Sequence, residues 1–383
     1  MQSGVWMSKW MESRIGIWLQ AGWMSARSIC LASIVGVAAL PLVATAAASS
    51  PANPAQSSAA CNLPQLTPEQ LQRLDVLGWL ERMRQATDLS TYSGNFVVMS
   101  SSGVMSSSRV WHVCDGHRQI ERLEALNGTP RIVYRQNAEV RTFSPNDRIV
   151  RIESREMPRK LQRAEGISGE SLLAHYAAQM SGRERIAGKD ADLLQLRPRD
   201  VWRFGYRVWL DHASGLVLKW QTVTPGGRVL EQAAFSELDM GAPVSGAQIE
   251  AMMNDVVGYR VITASRNPTT LEANGWALPI PVEGFKLLSC AEKQKLKDAV
   301  KAQTQQLRLA SVQCVYSDGL ASISVFLEPF SEERHAYNGQ ELRLGATHTL
   351  SGRVTEEGWV TMVGEVPLAT LRLFASAIKQ IPH

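Results

Sequence analysis

The chain reads as α+β: an antiparallel meander of short strands with a few helices, followed by a smaller second α+β unit. Three observations carry this reading. From residue 92 onward apolar residues alternate with a period of two, in short runs separated by turn residues. Helical spacing is confined to 67–85, 170–180, 248–253, 291–308 and 367–379. An irregular stretch over 239–270 separates two such patterns. The 383 residues, 45% hydrophobic and 20% charged, suit about two domains with sizeable cores.

The N-terminal region lies outside both patterns. Arg27 precedes an apolar run over 29–42, and the small-residue run 43–48 offers an A-x-A cleavage site. A positive residue, an apolar run shorter than a membrane span and such a site read as a secretory signal over 1–48. A signal opening at Met24 would have an ordinary length, whereas Trp6, Trp10, Trp18 and Trp23 fit no signal architecture. The expected translation start is therefore Met24. Residues 49–66, rich in Ser, Pro and Ala at their start, form a flexible leader. A polar spacer parts Cys61 from the apolar run, which argues against lipidation there. Cleavage removes Lys9, Glu12, Arg14 and Arg27 and leaves a net charge of +2, which gives no electrostatic case for nucleic acid.

The first domain is expected over 67–238. Thr67, Pro68 and Gln70 form a capping-box start for a helix to about residue 85. Tyr92, Gly94, Phe96 and Val98 then share one strand face. Strands follow over 108–113, 119–126, 131–136, 139–143 and 148–153, parted by turn signals such as Asn127-Gly128. A helix over 170–180 interrupts, and strands resume over 183–186 and 192–197. Trp202, Phe204, Tyr206, Val208 and Leu210 alternate with Arg203, Gly205, Arg207 and Trp209, and after a turn Leu216, Leu218 and Trp220 alternate with Val217, Lys219 and Gln221. A third strand runs over 229–235. Large apolar side chains on one face can line an apolar pocket or fill an ordinary core.

Residues 239–270 read as a linker with a short helical piece at 248–253. The second domain, 271–383, holds a Lys/Gln-rich helix over 291–308 and strands over 311–316 and 321–327 joined through Asp318-Gly319. Further strands over 341–344, 347–354 and 359–366 and a helix over 367–379 close it. Cys61, Cys114, Cys290 and Cys314 remain after export, an even number in an oxidising compartment. Cys290 and Cys314 share a domain and are the favoured pair; buried free thiols are the alternative.

Catalytic signatures are missing. No H-E-x-x-H, C-x-x-C or G-x-S-x-G occurs, and the seven histidines have no metal-ligand spacing. No metal, cofactor or catalytic residue is expected. His112 reads as a hydrogen-bonded strand residue and Asp211-His212 as turn chemistry. The basic run 148–163 reads as a solvated loop, or as a contact for lipid head groups or an acidic segment.

The chain resembles the RseB/MucB family of sigma-E regulatory proteins. In the first part the resemblance rests on Tyr92-Ser93-Gly94-Asn95-Phe96-Val97, Arg109-Val110-Trp111-His112, Glu121-Arg122-Leu123 and Leu126-Asn127-Gly128. It continues in Arg203-Phe204-Gly205-Tyr206-Arg207-Val208-Trp209-Leu210-Asp211 and Ser214-Gly215-Leu216. In the second part it rests on Gly284-Phe285, Val315-Tyr316-Ser317-Asp318-Gly319-Leu320-Ala321 and Ser324-Val325-Phe326. Cys114 departs from the polar residue expected there, and the 291–308 segment and the tail beyond residue 330 are enlarged.

The resemblance implies an open, strongly curved antiparallel sheet wrapped on helices, a half-barrel like the periplasmic lipoprotein carriers, beside a smaller α+β domain. It implies a periplasmic negative regulator that binds the periplasmic domain of a membrane-spanning anti-sigma factor (RseA/MucA type). Binding would shield that segment from proteolysis until a lipid or lipoprotein signal releases it. The expected acyl pocket is Phe96, Val98, Phe204, Tyr206, Val208, Leu218 and Trp220; the expected partner contact is Tyr316, Ser317, Asp318 and Gly319. Self-association stays open. The rival reading is a lipoprotein or lipid carrier, which would have little use for the second domain.

Overall fold

The computed structural model describes residues 61, 63–115, 118–137, 139–154, 169–241, 243–264, 266–293, 311–332, 335 and 339–381. The expected signal, nearly all of the leader before Cys61, most of the 291–308 helix and the end of the 148–163 basic run lie outside the described residues.

Two helices open the first domain where one was expected. Thr67 caps α1 (Pro68–Gln72): its hydroxyl accepts from the Gln70 amide at 3.2 Å, and the Gln70 side chain accepts from the Thr67 amide at 2.8 Å. Asp75 then caps α2 (Val76–Leu89), accepting from the Gly78 amide at 2.7 Å. A second cap three residues past the first helix restarts the backbone in a new direction.

The sheet is built from β1 (Tyr92–Ser100), β2 (Met105–Asp115), β3 (Arg118–Ala125), β4 (Ile132–Gln136), β5 (Glu139–Ser144) and β6 (Ile149–Ser154). After α3 (Gly169–His175) come β7 (Tyr176–Ile186), β8 (Lys189–Pro198), β9 (Gly205–Asp211), β10 (Val217–Val223) and β11 (Val229–Met240). The helix expected over 170–180 thus stops at His175, and Met180 stands in a strand. With β12 (Arg260–Ala264) the strand order is β12-β6-β5-β4-β3-β2-β1-β11-β10-β9-β8-β7. The sheet is open, because β12 and β7 end the order without pairing to each other. All neighbours are antiparallel except β12 and β6.

The linker expected over 239–270 is corrected. Its first part extends β11 to Met240, and α4 (Gly246–Asn254) follows behind a Ser245–Gln248 capping box. Ile249 and Met253 of α4 are fully buried on Val113, Ile120, Tyr134, Phe143 and Val150 of the sheet. Burying two large apolar side chains is worth about 3–6 kcal/mol, enough to fix this segment to the first domain. β12 then joins the sheet edge, and β13 (Arg266–Pro268) already belongs to the second domain.

The second sheet has, in strand order, β13, β15 (Lys286–Lys293), β16 (Ser311–Ser317), β17 (Ser322–Pro329), β20 (Gly358–Gly364), β19 (Thr347–Arg353) and β18 (Gln340–Leu344). Two-residue β14 (Trp276–Ala277) pairs with β21 (Lys379–Gln380) near the chain end. Residues 291–293, expected to begin a helix, are the end of β15. Helix α5 (Leu368–Ala377) lays Leu371 and Phe374 on this sheet, with Phe374 edge-on to Phe285 and Tyr316. Disulfides join Cys290 to Cys314, opposite each other on β15 and β16, and Cys61 to Cys114 on β2.

Candidate functional site

The residues expected to line one apolar pocket divide among three clusters, with Val98 outside all of them. Tyr206, Val208 and Trp220 lie together with Leu194, Leu196 and Leu210, beneath Trp79, Leu80 and Met83 of α2 and Leu172 of α3. Leu218 belongs instead to a neighbouring cluster with Tyr92, Trp209, Phe235 and Leu238, against which Phe96 packs. Phe204 precedes β9 and packs on Leu230 and on Ala346 of the second domain. Val98 is buried on β1, opposite Ala233 of β11.

A bulge separates Leu218 from Tyr206, Val208 and Trp220. Between Val217 and Lys219 the β10–β9 register slips, so that Val217 opposes Leu210 and Trp220 opposes Val208. An extra residue interrupts the period of two and shifts every side chain before it to the other face. Val217 therefore packs with the Tyr206 cluster, and Leu218 with the Trp209 cluster. Phe96, Val217, Leu218, Lys219, Ala233, Ala234 and Phe235 line a shallow depression that encloses no cavity.

The residues expected to meet a partner are inside the molecule. Tyr316, Ser317, Asp318 and Gly319 are all buried, and the surface availability assumed for this hairpin is corrected. Tyr316 packs on Phe374, and burial pushes its phenol up to about 12. Ser317 Oγ accepts from the Gly319 amide at 3.0 Å and donates to the Ala321 carbonyl at 2.8 Å. Asp318 Oδ1 accepts from the Leu320 and Ala321 amides at 2.9 and 2.8 Å. These bonds satisfy the turn internally and leave Asp318 Oδ2 aimed at the first domain.

There it meets two buried groups. Asp318 Oδ2 accepts from Arg203 Nε at 2.6 Å and from Tyr176 Oη at 3.0 Å. The Arg203 and Asp318 side chains are both at 0% exposure, so this is a fully desolvated ion pair. Arg203 also donates to the Asp200 carboxylate and the Glu283 carbonyl, and its guanidinium lies 5.1 Å from the Phe285 ring centre. Burial opposes the Arg203 charge, but the Asp318 carboxylate outweighs it and raises the guanidinium's proton affinity. Burial, then the nearby Asp318 charge, push the Tyr176 and Tyr206 phenols well above their ordinary range. These shifts keep the Arg203 guanidinium charged and both phenols neutral.

Leu320 completes the joint. It is 1% exposed and sits in the first domain's cluster with Tyr176, Tyr206 and Trp220. Gly284, at φ +88°, passes so close that a Cβ would lie 2.3 Å from His175 Nε2 and 2.8 Å from Arg203 Nη2. Thr370 of α5 donates to the Trp202 carbonyl at 2.8 Å, and His348 meets Phe204 edge-on at 5.6 Å. Sequence reasoning missed Arg203, Tyr176 and Leu320 as a unit. One signal was there: an apolar residue inside an otherwise polar Ser-Asp-Gly-Leu turn has no local use.

In this arrangement the buried Arg203 and Asp318 charges are paired with each other. Among the described residues no cluster of His, Cys, Asp and Glu could hold a metal, and no helix is long and apolar enough to cross a membrane. The chemistry on offer is apolar burial coupled to a domain joint.

Comparison with known proteins agrees in extent with this two-domain layout. Residues 75–253 match the MucB/RseB N-terminal domain and residues 270–379 the MucB/RseB C-terminal domain. The sigma factor AlgU regulatory protein MucB of Pseudomonas aeruginosa is 29% identical over 315 residues, 80% of this chain and 92% of its own length. The sigma-E factor regulatory protein RseB of Escherichia coli is 24% identical over 308 residues, 78% of this chain and 89% of its own. The solved Pseudomonas aeruginosa MucA/MucB complex superimposes with a TM-score of 0.61 at 25% identity, covering 81% of this chain and 100% of that one. The chain belongs to the MucB/RseB family.

Proposed function

We propose that the chain is a non-catalytic periplasmic regulator of a sigma-E type envelope stress response. It binds the periplasmic segment of a membrane-spanning anti-sigma factor, shields that segment from proteolysis, and lets it go when a lipid or lipoprotein acyl chain is bound. Relatives support the first half: one is a regulator of the sigma factor AlgU, and the solved MucB is in complex with MucA.

The observation that carries the second half is Leu320. A side chain of the second domain is built into the cluster of Tyr206, Val208 and Trp220 of the first. An acyl chain entering that cluster competes with Leu320 and so acts on the domain joint. A ligand shifts such an equilibrium only by its differential affinity for the two arrangements, and displacement of Leu320 supplies that difference. In this reading Tyr316, Ser317, Asp318 and Gly319 serve the partner by fixing the domain arrangement it recognises. Phe96, Val98, Phe204, Tyr206, Val208, Leu218 and Trp220 are the apolar surfaces on which the signal acts. A carrier without a regulatory partner would not require a second domain wired into its apolar core.

The test is calorimetric titration of the mature chain with the periplasmic segment of its host's anti-sigma factor, followed by addition of acyl lipid. Saturable one-to-one binding that lipid reverses supports the proposal. No heat from a folded sample overturns it and brings the carrier reading forward.

A further inference from the structure

We infer that Cys61 and residues 63–66 form a redox-released strap over the apolar clusters, a regulation that rests on the acyl-ligand reading above. The segment is tied at both ends. Cys61 is bonded to Cys114 on β2, and Thr67 is held by the capping box of α1. Between them Leu63 packs on the cluster of Tyr92, Leu218 and Phe235, and Leu66 on that of Tyr206 and Trp220. Pro64 and Gln65 face outward, and the Pro64 carbonyl accepts from Arg82 Nη1 at 3.1 Å. Apolar residues inward and the rest outward make a short length of chain laid across both clusters.

Phe96, Leu218 and Phe235 line only a shallow depression with no enclosed room for a ligand. Leu63 packs on the cluster that contains Leu218 and Phe235, so its departure uncovers apolar surface there. Tethering keeps Leu63 at high effective concentration against its own cluster, where it outcompetes a free acyl chain. With the disulfide cut, the strap keeps its junction with α1 at Thr67 and the Arg82–Pro64 hydrogen bond, and its free end can lift away.

The two disulfides differ in access. Cys61 and Cys114 are both partly exposed, whereas Cys290 and Cys314 are buried. A dithiol reductant therefore reaches the first and not the second. Its thiolate attacks one sulfur of the Cys61–Cys114 bond and forms a mixed disulfide. Its second thiolate resolves that bond and leaves the reductant as a disulfide. Two electrons and two protons pass to Cys61 and Cys114. The device would couple thiol-reducing conditions in the envelope to the same site that senses acyl chains.

The experiment compares the mature oxidised protein with Cys61→Ser/Cys114→Ser, leaving Cys290–Cys314 in place. Two rates are read: thermolysin cleavage before Leu63 and Leu66, and binding of a fluorescent fatty acid, cis-parinaric acid. The expected result is cleavage at least about tenfold faster and probe binding about tenfold tighter in the variant, with unchanged circular dichroism. Leu63→Ser with the disulfide intact should also tighten probe binding, which separates uncovering from loss of a cross-link. Unchanged cleavage overturns the strap. Faster cleavage with unchanged affinity, in a protein that does bind the probe, overturns its role as a cover. Faster cleavage with no probe binding to either form keeps the strap's release and overturns the acyl-ligand reading instead.

Discussion

The Arg203–Asp318 pair should behave as a coupled unit that joins the domains. In Asp318→Asn the side-chain oxygen still caps the Leu320 and Ala321 amides, so the turn survives, but the carboxylate facing Arg203 is gone. Removing one member of a buried pair costs about 3–5 kcal/mol because the other charge stays desolvated. Arg203 keeps the Asp200 carboxylate and the Glu283 carbonyl, which places the expected loss near the lower end, about 3 kcal/mol. Arg203→Met leaves the Asp318 carboxylate with two amides and the Tyr176 hydroxyl, so about 2 kcal/mol is expected. In the double variant neither buried charge is left alone, and its cost should fall about 2 kcal/mol short of the sum. The assay is urea unfolding of all four proteins, followed by circular dichroism and tryptophan fluorescence. Loss of the joint should also split one transition into two as the domains unfold separately. Additivity within about 0.5 kcal/mol would refute the reasoning, since contact-coupled residues do not add.

Three further outcomes follow from the same geometry. Leu320→Ala removes a buried knob from the Tyr206–Trp220 cluster and should cost about 2–5 kcal/mol in urea unfolding while weakening anti-sigma binding in calorimetry; a loss below 1 kcal/mol would mean the site is not packed. Gly284→Ala meets both a left-handed backbone and the side chains of His175 and Arg203, so a loss on the order of 2 kcal/mol is expected, against which wild-type stability would count. Burial depresses the His112 and His348 imidazoles below their ordinary value. Below about pH 6.5 the unfolded chain then binds protons that the native state excludes, so stability falls as pH falls through that window and levels off above it. His112→Gln should flatten the slope of unfolding free energy between about pH 5 and 6.5; an unchanged slope would remove His112 as a contributor.

The sheet strands were legible because large apolar residues recur with a period of two, as at Tyr92–Ser100 and Gly205–Asp211, although burial in both strands reaches residues of either parity. The capping box at Thr67 was equally legible, being local chemistry. The second cap at Asp75 was overlooked because the apolar spacing runs on through it. The segment 239–264 misled through its Gly, Pro and Asn content, while Ile249 and Met253 carried the burial that decided its place. The aromatic set was read by parity, and a single bulged residue on β10 was enough to move Leu218 to another cluster.

The sequence by itself determined the two-domain α+β plan, the family, and the apolar stock of residues from which a ligand site could be built. Those rest on local periodicity and on contiguous motifs, which need no knowledge of distant contacts. Only the tertiary structure decided that the Ser317-Asp318-Gly319-Leu320 turn faces inward, because its partners Tyr176 and Arg203 lie more than a hundred residues away. The turn's own bonds are satisfied locally, so the sequence carries no mark of the one free oxygen that reaches Arg203. The same holds for Leu63 and Leu66: a polar-flanked leader becomes a strap only where Cys114 is brought within bonding reach of Cys61.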